Sequence, residues 1–290
     1  MIDMTPAANS STSPVAPPSG VPKSVMIASG IQMLGAMSLI GLLFFEWVQG
    51  GNTGLDGSGG GGFGVLALLT AVVTLVAATR GLRGRSAERP ILGANQLAII
   101  LAIALFFSNL VFLWVFRTGG APKWVYVVGN LLVYSGVVGL FAAQAEQPEP
   151  LDDSKVRIVG AAMVGLGIAI ALAPALEYTK LGSRTLTGYE PGAPRIGVLL
   201  LLLGGITVFI GMKRAVGGAS YADIGPYVLW PHVTIGLGII SAAPALAWMI
   251  SGLWGNDFDP GIGVYLSIIL GGALSAVGWF EASKRGASGR

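Results

Sequence analysis

ILGANQLAIILAIALFFSNLVFLWVF, residues 91–116, runs for 26 residues without one charged side chain. A hydrocarbon core about 30 Å thick needs roughly 20 apolar residues, each rising about 1.5 Å along a helix. The stretch is long enough to cross a bilayer with more than a turn to spare. It offers no charged face of the kind that a surface helix of a soluble protein turns to water.

Seven other stretches are similarly long and apolar, with charge only near their ends: 25–46, 63–79, 124–143, 157–177, 196–212, 228–250 and 264–282. The whole chain of 290 residues is 53% hydrophobic and 11% charged, against about 25% charged in a typical soluble domain. This pattern predicts an all-α fold, a polytopic transmembrane helix bundle of about eight spans. A net charge of +3 is too small to suggest nucleic acid as a partner. The partner that composition implies is the lipid bilayer, with a membrane-protein partner or homo-oligomer as a further expectation. The chain has no cysteine and one histidine, His232. Disulfides, thiolate nucleophiles and two-imidazole metal sites are thereby excluded, and no cofactor is expected.

The organisation follows from where charge and proline fall. Residues 1–24 are rich in Pro, Ser and Ala, lack the pattern of a cleavable signal, and read as a disordered cytoplasmic tail. Two four-helix membrane halves, 25–143 and 157–282, flank the acidic linker 144–156, and residues 283–290 form a basic tail. Lys and Arg are retained on the cytoplasmic side of a membrane. With the N-terminus inside, 12 basic residues fall inside and 5 outside, and the run Arg80, Arg83, Arg85 and Arg89 decides the orientation. Both termini are then cytoplasmic, in the inner membrane of a bacterium.

The spans pair into four like-oriented hairpins with recurring features. The first helix of each ends in an aromatic residue, Trp47, Trp114, Tyr178 or Trp248, and Glu46 and Glu177 precede two of them. GLGIAIALAPAL (165–176) resembles GLGIISAAPAL (236–246), which places Pro174 and Pro244 at matching positions as expected helix kinks. Gly204-Gly205 and Gly271-Gly272 follow. Such repetition implies one structural unit used several times. FFEW (44–47), GLDG (54–57), FGVLALL (63–69) and RGLRGR (80–85) resemble hairpin-repeat, multi-pass membrane proteins common in GC-rich bacteria. That resemblance implies a membrane bundle and no particular activity.

Candidate site residues are few. Asn95 and Asn109 share a helix face, and Asn109 and Asn130 are expected at similar depth, where their amides would bond across a hairpin. Such bonds hold helices together at about 0.6 kcal/mol each on average; solute contact is the sharper alternative. Glu46 and Glu177 are carboxylates at the apolar edge. His232 follows Trp230-Pro231 at the start of a span. Gly57, Gly59 and Gly62 have GxGxxG spacing without the strand that a dinucleotide fold requires, and read as a flexible connector. Asn256 to Asp259 lack the ligand spacing of a calcium loop and read as a turn. The seven tryptophans read as interfacial anchors.

With no charge expected deep in any span, the favoured activity is a structural or accessory subunit of a membrane assembly rather than an enzyme. The alternative is a small-solute transporter or channel with a site between the hairpins. Reporter fusions test the orientation. A fusion at Gly59 is expected to report outside and one at Arg85 inside; a cytoplasmic signal from Gly59 sinks it.

Overall fold

The computed structural model describes residues 21–49, 51–56, 61–83, 93–115, 120–142, 152–190, 195–218, 230–255 and 258–287. Eight long helices fill most of these residues. They are α1 (Lys23–Leu42), α2 (Gly61–Leu82), α3 (Ala94–Val115), α4 (Ala121–Ala142), α5 (Asp153–Leu172), α6 (Ile196–Gly217), α7 (Trp230–Gly255) and α8 (Ile262–Ala287). At least seven of them are, among the described residues, long and apolar enough to cross a membrane. Ile27, Leu34 and Met37 on α1, Leu201, Leu202 and Phe209 on α6, and Ile269 and Phe280 on α8 are exposed. Exposed apolar faces of this extent suit lipid, not water.

Consecutive helices pack in pairs: α1 on α2, α3 on α4, α5 on α6 and α7 on α8. Further contacts join α1 to α4, α2 to α3 and α5 to α8, and α7 lies against both α2 and α3. We call the end bearing Arg80, Lys213 and Lys284 the basic end. The opposite end carries short strands, β1 (Glu46–Val48) with β2 (Asn52–Thr53), and β3 (Glu177–Leu181) between β4 (Arg184–Thr187) and β5 (Asp259–Pro260), all antiparallel.

Glycine sets the distance between helices. Gly167 and Gly204 face each other so closely that a Cβ on Gly204 would lie 2.5 Å from the Gly167 carbonyl oxygen. Gly238 and Gly271 repeat the arrangement between α7 and α8, where a Cβ on Gly271 would lie 2.6 Å from the Gly238 oxygen. At the seam between α2 and α7, a Cβ on Gly62 would overlap the Ala247 carbonyl oxygen at 1.8 Å. In lipid, with no hydrophobic drive between helices, such approach is how dispersion contacts accumulate.

The buried faces of α1 and α5 match at one constant spacing. Val25, Ser29, Gln32, Ala36 and Leu39 correspond to Val156, Gly160, Met163, Gly167 and Ile170, and all ten are buried.

Several sequence expectations change. The glycine connector is partly helix, since Gly61 to Gly64 open α2 and are buried; residues 57–60 lie outside the described set. The same holds for 1–20, for 144–151 of the expected linker, whose last residues 153–156 already belong to α5, and for 288–290 of the basic tail. Pro174 sits in a 3-10 turn that ends α5, whereas Pro244 stays inside α7, so the matching prolines serve differently. Trp47 and Trp248 are buried, and only Trp114, Trp124, Trp254 and Trp279 keep the exposure of interfacial anchors. The buried pair fill the core beneath the strands: Trp47 packs edge-on to Phe112 at 5.6 Å, and Trp248 stacks on Phe258 at 4.2 Å.

Adjacent glycines give a sharp test. Gly204 abuts α5, but a Cβ on Gly205 meets nothing within 4 Å. Gly204→Ala is expected to destabilise by about 1–3 kcal/mol through overpacking. Gly205→Ala is expected to be neutral or to stabilise by up to about 1 kcal/mol through helix propensity. Thermal unfolding in mild detergent separates the two.

Candidate functional site

The most unusual chemistry lies towards the basic end, where α5, α6, α7 and α8 each contribute one side chain. Arg214 on α6 donates through Nη1 to Glu281 Oε2 at 2.9 Å and through Nη2 to Oε1 at 2.5 Å, a two-pronged ion pair. Both side chains are fully inaccessible to solvent. Arg214 Nη1 also lies 3.7 Å from Met163 Sδ on α5, and Thr234 Oγ1 on α7 approaches the same sulfur at 3.6 Å. The Thr234 hydroxyl donates to the Trp230 carbonyl at 2.9 Å.

Burying two opposite charges costs several kcal/mol per ion, and the cost is offset only where the pair is well aligned. The planar guanidinium facing both carboxylate oxygens meets that condition. The pair overturns the expectation that no charge would lie inside the bundle. Arg214 directly follows Lys213, but α6 continues to Gly217 and turns Arg214 inward. Lys213 is exposed.

The residues expected from sequence do not converge on one place. Asn109 is buried and donates through Nδ2 to the Pro122 carbonyl at 2.7 Å, tying α3 to the start of α4. Asn130 donates to the Tyr126 carbonyl of its own helix at 2.9 Å. The expected Asn109–Asn130 bond is therefore absent, because each amide finds a nearer carbonyl. Asn95 is half-buried near the start of α3. Its neighbour Gln96 reaches across the seam, with Nε2 at 3.3 Å from His232 Nδ1 on α7. Glu46 and Glu177 lie at the strand end, far along the chain from His232. Glu46 Oε1 accepts from the Gly51 amide at 3.3 Å. Glu177 pairs with Lys180 at 3.1 Å and is half-buried.

At the strand end the chain builds one turn twice. Thr53-Gly54-Leu55-Asp56 and Thr187-Gly188-Tyr189-Glu190 each place an acidic residue back on its threonine. The Thr53 amide donates to Asp56 Oδ2 at 2.5 Å, and the Thr187 hydroxyl donates to Glu190 Oε1 at 3.2 Å. The glycine amides return to the preceding helix end, Gly54 to Leu43 O at 3.0 Å and Gly188 to Pro174 O at 2.8 Å. Both glycines lie under an aromatic ring, Trp47 or Tyr178, where a Cβ would not fit. Tyr178 is fully buried, which pushes its phenol above the ordinary value; the nearby Ser267 hydroxyl opposes this.

Beside the first turn an open cavity of about 500 Å³ is lined by Leu42, Phe45, Glu46, Gly120, Ala121 and Trp124. Among the described residues, no three His, Asp or Glu side chains gather as a metal site would require.

The chain matches no family model, no curated protein and no solved structure. The residues themselves must therefore carry the functional reading.

Two features escaped sequence reasoning. The Thr-Gly-x-acid turn was visible as TGLD and TGYE. The ion pair had a subtler signal: Arg214 and Glu281 are separated by 67 residues, the same interval as Gly204 to Gly271 and Gly211 to Gly278.

Removing one member of a buried pair strands the other charge. Glu281→Gln is expected to destabilise by about 3–5 kcal/mol, whereas Arg214→Met with Glu281→Leu is expected to stay near the parent or exceed it. Unfolding midpoints in detergent check both; a single variant as stable as the parent contradicts the assignment.

Proposed function

We propose that this chain is an eight-span protein of the bacterial cytoplasmic membrane, built of four like-oriented hairpins with both termini inside. We propose further that it serves as a non-enzymatic structural or accessory subunit of a membrane assembly. One observation carries that role. Helix α4 packs on α1 and α3 and presents Trp124, Val127, Leu131, Tyr134 and Val138 as one exposed stripe at helical spacing. Tyr134, midway along α4, is 71% exposed. A phenol facing hydrocarbon has no acceptor there, and an unmet polar group in lipid costs several kcal/mol. A helix of another subunit would supply that acceptor and cover the stripe. Helix α4 also carries Lys123 and Asn130.

The transporter or channel reading draws on the Arg214–Glu281 pair, since ionisable groups inside a membrane bundle often mark solute pathways. Against it, the two side chains face each other and are closed to solvent, and Asn109 Nδ2 is engaged by the Pro122 carbonyl.

Purification in mild detergent followed by native mass spectrometry distinguishes the readings. The subunit reading expects a companion at fixed stoichiometry, released by Tyr134→Ala while the unfolding midpoint stays unchanged. A lone, monodisperse chain that moves a solute across a vesicle wall would favour the transporter.

A further inference from the structure

The contacts of α5–α6 and of α7–α8 coincide at two fixed intervals. Gly167, Ala171 and Gly204 make the crossing in the first pair; Gly238, Ala242 and Gly271 make it in the second. First-helix positions differ by 71 residues and second-helix positions by 67. Met163 and Thr234 are 71 apart and touch each other. Arg214 and Glu281 are 67 apart and touch each other. A residue touches its own counterpart only where both lie beside the axis that relates the two copies. Two separate contacts do so, one in each interval.

We propose that α5–α6 and α7–α8 are related by an internal two-fold axis running between Arg214 and Glu281, and that their opposite charges are a pairing code at one repeat position. A pair of identical hairpins would set like beside like at the axis. Arg against Arg, or Glu against Glu, would bury two uncompensated charges, which is far worse than burying an aligned pair. Opposite signs favour the joining of two different hairpins and penalise the joining of two alike.

The full chain tests this, because it has no cysteine to confuse a cross-link. Met163→Cys with Thr234→Cys places two thiols across the axis as a reporter of correct pairing. In that background, Arg214→Glu or Glu281→Arg is expected to abolish the disulfide. The reversed pair, Arg214→Glu with Glu281→Arg, is expected to restore it, because the two positions are equivalent. Arg214→Met with Glu281→Met is expected to fold and cross-link without charge. A reversed pair as defective as the like-charge variants would overturn the two-fold relation. Like-charge variants that still cross-link fully would overturn the pairing code.

Discussion

Close backbone approach is the constraint on which the rest of this structure depends. Apolar side chains gain little by leaving lipid for one another, so helices in a bilayer must be held by contact at short range. Gly167 against Gly204, Gly238 against Gly271 and Gly62 against Ala247 bring main chain to main chain. Once helices are that near, few rotations keep both backbones clear, and the facing residues follow. Arg214 and Glu281 can meet with both oxygens and both nitrogens engaged because the helices that carry them are already fixed by such crossings.

The helices were legible in the sequence because hydropathy over some 20 residues is a strong signal. The run 91–116 anticipates Ala94–Val115 closely. What was not legible depends on the direction in which a side chain points. Arg214 beside Lys213 reads as a stop signal, and only the rotation of α6 separates the buried residue from the exposed one. Glu281 is buried although Trp279 and Phe280 just before it are exposed, a difference set by the rotation of α8. Asn109 is buried, but its partner is a backbone carbonyl, Pro122 O, which no pattern of side chains announces. Trp47 reads as a headgroup anchor by position and proves to be core, because the β1–β2 turn closes over it.

Several polar side chains of the bundle join one element to another. Asn109 joins α3 to α4, Gln96 and His232 span α3 and α7, and Trp248 donates to Thr179 Oγ1 at 3.0 Å, joining α7 to β3. These ties hold α3, α4, α7 and β3 to one another. The subunit reading rests on the stripe on α4, where an encounter with another helix has the most to gain.

Helix α7 carries a mechanical consequence. Near one end the Gly62 amide donates to Ser251 Oγ at 3.1 Å, and near the other Gln96 meets His232. A beam bolted at both ends resists sliding along its length and rotation about it. It leaves bending as the compliant mode. Pro244, within α7 and close to the Ser251 end, is the natural place for that flexure.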